Sequence, residues 1–195
     1  MKKAVFVDRD GVVNDLYYDE DHGIVDSPFH PDQLKIFPKV SDAINKFHNL
    51  GYLVILVSNQ PGIAKNHFSE KTFNSIKEKM KNELKKENAY FDEEYYCFHH
   101  PNAKHHKYKK NCDCRKPKPG LIEQAVKKHD IDLSQSWMIG DGVTDIELGD
   151  NVGCKTIFVG QKKCYIMMNM KVEPNYYVKD LYEASKIIEK HGGNK

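Results

Sequence analysis

The chain has 195 residues, 39% of them hydrophobic and 30% charged, enough to bury a core without staples. Apolar runs such as residues 53–57 fall far short of the roughly 20 residues a membrane span needs, and a net charge of +2 argues against a dedicated nucleic-acid binder. Five cysteines, an odd number, disfavour a disulfide framework, and the short apolar stretch behind Met1-Lys2-Lys3 is no signal-peptide core, so the expected address is the cytoplasm.

In chain order, residues 4–7 read as a first buried strand. Val40, Ala43, Ile44, Phe47 and Leu50 recur at helical spacing, and Gly51 supplies a stop. Residues 53–57 form a second strand. Ser69 caps a long helix whose apolar face is Phe73, Ile76, Met80 and Leu84. Residues 94–98 read as a third strand, and Pro119 opens a helix carrying Leu121, Ile122, Ala125 and Val126. Residues 137–139 are a fourth strand, 143–149 a short helix and 156–159 a fifth strand. Residues 176–178 and a helix over 181–188 close the chain, ahead of a frayed 192–195. Short apolar runs alternating with helical periodicity predict an α/β fold, a Rossmann-like parallel sheet with helices on both faces. Residues 15–33 and 99–118 lack periodicity and read as irregular loops on one domain spanning 1–195.

Four motifs carry chemistry. Asp8-Arg9-Asp10-Gly11 ends the first strand, at the sheet edge where ligands collect in open α/β folds. Alternate strand residues share a side, so Asp8 and Asp10 can face one crevice, where two like charges call for a cation or a shared proton. Val57-Ser58-Asn59-Gln60 ends the second strand and offers a hydroxyl to an oxyanion. Arg115-Lys116-Pro117-Lys118-Pro119-Gly120 is a cationic cluster before a helix, and Gly140-Asp141-Gly142-Val143-Thr144-Asp145 sets two more carboxylates at a strand-to-helix turn. Each alone also reads as an ordinary turn or solvated loop. Jointly they supply a nucleophile, an oxyanion donor, a cation and carboxylates for a hard metal, the inventory of phosphoryl transfer. Only two of the 30 basic residues are arginine, Arg9 and Arg115, and both fall inside these motifs.

A second constellation is Cys97-Phe98-His99 with Cys112-Asp113-Cys114, four N/S ligands in two close pairs that suit a tetrahedral structural Zn²⁺. His100 is a rival imidazole. The polar, lysine-rich residues 100–111 between the pairs gain an ordering clip from such a metal. Cys154 and Cys164 stand apart.

The four motifs resemble the signatures of haloacid dehalogenase superfamily phosphatases. That resemblance implies Mg²⁺ and an aspartyl-phosphate intermediate, with Asp8 as nucleophile and Asp10 as general acid/base. Ser58 and Lys116 would hold the phosphoryl group, and Asp8, Asp10 (through its backbone carbonyl) and Asp141 would bind Mg²⁺. The cysteine-bearing segment running into Arg115-Lys116-Pro117 resembles the heptose-bisphosphate and histidinol-phosphate phosphatases, in which a zinc-bound loop stands in place of a large cap. By this likeness Cys97, His99, Cys112 and Cys114 hold the zinc. Arg115 and the Asp21-His22-Gly23 loop would contact substrate, together with Arg9, Asn59, Gln60 and Gly142 from the motifs.

Ile24 stands where that loop commonly carries an aromatic, and the stretch around 17–19 is longer than usual, which leaves the sugar and its anomer open. The implied substrate is a phosphorylated sugar, D-glycero-D-manno-heptose 1,7-bisphosphate cleaved at its 7-phosphate, acted on by a monomer. Histidinol phosphate and a polynucleotide 3′-phosphate are alternatives of the same chemistry. A non-catalytic zinc-knuckle module would leave Asp8, Asp10 and Asp141 without a purpose.

Overall fold

A computed structural model describes residues 1–21, 23–161 and 171–192. Five apolar runs become the strands β1 (Lys3–Val7), β4 (Tyr52–Asn59), β5 (Glu93–Cys97), β6 (Trp137–Gly140) and β7 (Lys155–Val159), and β8 (Tyr176–Val178) completes the sheet. All neighbours are parallel, in the order β5-β4-β1-β6-β7-β8. The helices are α1 (Val40–Asn49), α2 (Glu70–Lys85), α3 (Gly120–His129), α4 (Val143–Asn151) and α5 (Leu181–Gly192). No separate cap domain is inserted among the described residues. His22 and Cys164 lie outside the described residues, as does the end of the expected frayed terminus.

Strand alternation explains why helices cover both faces. Val5 and Val7 point to a core shared with Ile44 and Phe47 of α1, Ile76 and Met80 of α2, and Ile188 of α5. Ala4 and Phe6 point to the opposite face, against Leu121, Ile122 and Ala125 of α3 and Leu148 of α4. A period-2 strand buried on both sides reads as a continuous apolar run, as Ala4 to Val7 does. Ser69 caps α2 as expected, its hydroxyl accepting from Thr72 N at 3.0 Å.

Residues 15–33 are less irregular than their sequence suggested. They contain an antiparallel hairpin of β2 (Tyr17–Asp19) and β3 (Ile24–Asp26), followed by a 3₁₀ turn over Pro31–Gln33. The strands are three residues long and largely exposed, so no alternation of buried and polar positions marks them. Within 99–118 a third apolar cluster holds the loop down, with Ala103 and Tyr108 packed on Ile63, Ala64 and Phe73.

β1 is the topological switch of the sheet. The chain leaves it for β4 on one side and returns much later as β6 on the other. The loops after β1 and β6 therefore diverge and open a crevice at the carboxyl edge.

Candidate active site

Motif residues from distant parts of the chain meet at this crevice. Asp8, one residue past β1, has its backbone N–H bound to Ile139 O of β6 at 3.0 Å, which pins the first motif against the fourth. Gly11 follows at φ +78, and a Cβ there would lie 2.0 Å from Asp141 Oδ2. Only glycine allows both that backbone turn and that approach. Gly140 is constrained by space alone, since its Cβ would fall 2.2 Å from the Asp145 side chain.

Lys116 is the central cation. Its Nζ lies 2.8 Å from Asp8 Oδ1 and 2.7 Å from Asp145 Oδ1, and it donates to Val57 O at 2.9 Å. Burial acts to lower the Lys116 pKa, but Asp145 and Asp8 outweigh it and hold the ammonium above its ordinary value. Asn59, expected on the substrate side, clamps the Lys116 backbone instead. Its amide donates to Lys116 O at 3.2 Å and its Oδ1 accepts from Lys116 N at 3.1 Å.

Asp8, Asp141 and Asp145 place ligand oxygens within 4.8 Å of one another. Burial, then the charges of Asp8 and Asp145, push the Asp141 pKa up to about 8, with Lys116 offsetting part of the rise. Burial likewise raises Asp145 to about 6 against the pull of Lys116. Carboxylates crowded until they resist ionisation form a donor set suited to a hard divalent cation. Asp145 also serves α4, its Oδ2 accepting from Gly142 N at 3.0 Å. Gly142 thus acts as the N-cap residue of that helix.

Asp10 turns away from this trio. Its Oδ1 accepts from Arg9 Nε at 3.1 Å and Asn14 Nδ2 at 2.9 Å, and its Oδ2 from Gln60 Nε2 at 2.6 Å and Ser27 Oγ at 2.9 Å. Burial acts to raise the Asp10 pKa, yet Arg9 with the Asn14 and Gln60 hydrogen bonds leaves it lowered. Arg9 and Gln60 are wholly buried beneath the carboxylate and bound to each other at 2.9 Å, so they orient Asp10 rather than line an open pocket. Gln60 reaches Ser58 Oγ as well, at 3.1 Å, and leaves that hydroxyl its own proton to donate. Asn14 and Ser27 escaped the sequence reading, because nothing in their spacing marks them.

At the end of β5, Cys97, His99, Cys112 and Cys114 converge. The Sγ atoms of Cys97 and Cys112 are 3.5 Å apart, Cys97 and Cys114 3.0 Å, and Cys112 and Cys114 3.2 Å. His99 Nδ1 lies 3.2 Å from Cys114 Sγ and 3.9 Å from Cys97 Sγ. Zn–S bonds of about 2.3 Å in a tetrahedron set sulfurs roughly 3.8 Å apart, so this cluster is close to that geometry and slightly contracted. His100 is not among the four, its Nδ1 accepting from Asn102 N at 3.1 Å. Cys154 lies elsewhere, buried in the core under α3 and α4. The cluster adjoins the crevice through the pairing of Cys97 with Asn59, and Arg115 donates to His99 O at 3.4 Å. Asp21 and Gly23 lie exposed in the hairpin turn.

A family model described as HAD-hydrolase-like matches residues 113–184. A D-glycero-beta-D-manno-heptose-1,7-bisphosphate 7-phosphatase of Pasteurella multocida is 37% identical over 189 residues, covering 97% of this chain and 98% of that protein. The D-glycero-alpha-D-manno-heptose-1,7-bisphosphate 7-phosphatase of Photorhabdus laumondii is 34% identical over 188 residues, covering 96% and 97%. Among solved structures, a D,D-heptose 1,7-bisphosphate phosphatase from B. bronchiseptica, complexed with magnesium and phosphate, superposes with a TM-score of 0.80 at 27% identity, over 97% of this chain and 99% of that one. The chain belongs to the haloacid dehalogenase-like phosphatase family.

Proposed function

We propose that this phosphatase removes the 7-phosphate of D-glycero-D-manno-heptose 1,7-bisphosphate, using Mg²⁺ and a covalent intermediate on Asp8. The observation that carries the chemistry is the junction of Asp8, Lys116 and the Asp141–Asp145 pair at the end of β1. Near-full-length similarity to the 7-phosphatases supports the substrate.

An Asp8 oxygen attacks phosphorus, the bond from phosphorus to the C7 oxygen breaks, and Asp10 delivers a proton to the departing alkoxide. Water then attacks the aspartyl phosphate, Asp10 takes its proton, and the acyl–phosphate link breaks to release inorganic phosphate and regenerate Asp8. Lys116 and the Ser58 hydroxyl hold the phosphoryl oxygens through both steps. Bound on Asp8, Asp141 and the Asp10 carbonyl, Mg²⁺ would screen the phosphoryl charge from the attacking carboxylate. Asp145 fixes Lys116. Arg115 offers a planar fork for the second phosphate or another polar group of the substrate. Cys97, His99, Cys112 and Cys114 would hold a structural Zn²⁺ with four ligands from the protein, and it would fasten the loop that carries Arg115 and Lys116. A monomer acting in the cytoplasm completes the reading.

A phosphate-release panel over both anomers of the heptose bisphosphate, histidinol phosphate and a 3′-phosphorylated oligonucleotide tests it. The bisphosphate is expected to show the highest kcat/KM. A preference for histidinol phosphate would overturn the substrate and leave the mechanism standing.

A further inference from the structure

We propose that Ser27 is a positioning residue for Asp10, the link through which the β2–β3 hairpin aims the acid/base carboxylate. This role rests on the reading of Asp10 as general acid and base given above.

Four side chains donate to the Asp10 carboxylate, and they differ in kind. Arg9, Asn14 and Gln60 are wholly buried, and Arg9 and Gln60 are locked to each other by the bond between Nη2 and Oε1. Withdrawing any of them would strand a buried polar group, so they form a fixed cradle. Ser27 is half-buried and stands one residue beyond β3, on the arm that carries Asp21 and Gly23. Its hydroxyl meets Asp10 Oδ2 at 2.9 Å, the oxygen also held by Gln60. Guanidinium and amide N–H groups only donate, whereas a hydroxyl also accepts. Arg9 and Asn14 hold Oδ1, so on Oδ2 the Ser27 hydroxyl, able to donate or accept, is the adaptable partner beside the fixed Gln60 amide.

The hairpin is well placed to transmit a substrate contact to that bond. Ser27 N donates to Asp26 Oδ1 at 2.7 Å, and Asp26 faces His67 at 3.6 Å. Phe29, two residues on, packs edge-on against Tyr17 of β2 and against His67. Beyond these anchors the hairpin buries little of itself: Leu16, Tyr18, Ile24 and Val25 are all exposed. A substrate resting on such an arm shifts it at small cost, and Ser27 carries the shift to Oδ2.

Help from a general acid matters most when the leaving group is poor. The test is kcat/KM on phenyl phosphate and p-nitrophenyl phosphate, which are close in size and differ in leaving-group basicity. That ratio reports the step in which the leaving group departs, before the shared hydrolysis of the phospho-enzyme. Ser27→Ala should lose about ten-fold on phenyl phosphate and less than about two-fold on p-nitrophenyl phosphate, with an unchanged thermal midpoint. Ser27→Thr, which keeps the hydroxyl, should recover most of the loss. Equal losses on both esters, or no loss on either, would overturn the role of Ser27. Asp10→Asn in the same assay separates the two failures. If it discriminates between the esters and Ser27→Ala does not, only Ser27 falls; if it does not discriminate, the acid/base reading of Asp10 falls and takes Ser27 with it.

Discussion

Asp8 and Asp10 stand two residues apart in one motif, yet their surroundings assign them opposite tasks. Asp8 faces Lys116 at the crevice, while Asp10 is held in a buried cradle of donors. Asp8→Asn is expected to abolish turnover without loss of fold, and Asp10→Asn to cost about 10² to 10⁴ in rate, both read by steady-state kinetics beside circular dichroism. The crowded carboxylates of Asp8, Asp141 and Asp145 also make stability depend on pH. In metal-free protein the folded pKa of Asp141 is about 8 and that of Asp145 about 6, both above the unfolded value near 3.8. The folded state thus retains protons that the unfolded chain has released, and these two groups remove stability as pH rises from about 4 to about 8. A cation favours their ionised forms, so the gain in Tm on adding Mg²⁺ should be larger at pH 8 than at pH 5.5. Asp141→Asn should flatten that difference, and equal gains at both pH values would refute it. The motif residues were legible because strand ends and turn residues mark them. The cradle was not, since Arg9, Asn14, Ser27 and Gln60 meet only once β1, the hairpin and β4 are assembled.

At the scale of elements, the central strands and the helices were readable because each buries a face and so repeats its apolar residues with the right period. β5 is the weaker case: Glu93–Cys97 is mostly half-buried, and it lies one residue earlier than its sequence suggested. The hairpin left no such trace. The loop 99–118 was legible through its ligands rather than its hydrophobicity, because thiols and imidazole at short spacing carry a chemical signal that periodicity does not. In the structure Cys112 differs from its neighbours. Burial acts to raise it, but hydrogen bonds from Cys114 and Cys97 leave its pKa lowered, whereas Cys97 and Cys114 are raised. Purified protein should contain one zinc, and Cys112→Ser should lose it. Faster proteolysis within 99–118 and a raised KM should accompany that loss, with α2 and α3 intact by circular dichroism. Zinc-free wild-type protein of full activity would end the assignment.

Over the whole molecule, two cores flank one sheet, and β1 supplies residues to both. Their shared strand argues for a single cooperative thermal transition, the behaviour expected of one domain. Phe6→Ala, which empties part of the core under α3 and α4, should cost about 3–5 kcal/mol and lower the single Tm rather than split it. Two separate transitions in that variant would show that the two faces unfold independently. The switch at β1 also bears on the order of synthesis. Asp8 is made well before Trp137–Gly140, but its strand is closed on one side by β6, and the hydrogen bond from Ala4 N to Ser136 Oγ spans 132 positions. A ribosome must therefore translate past Asp145 before Asp8 meets Asp141 and Asp145, so a nascent chain interrupted earlier carries Asp8 without the two carboxylates that face it across the crevice.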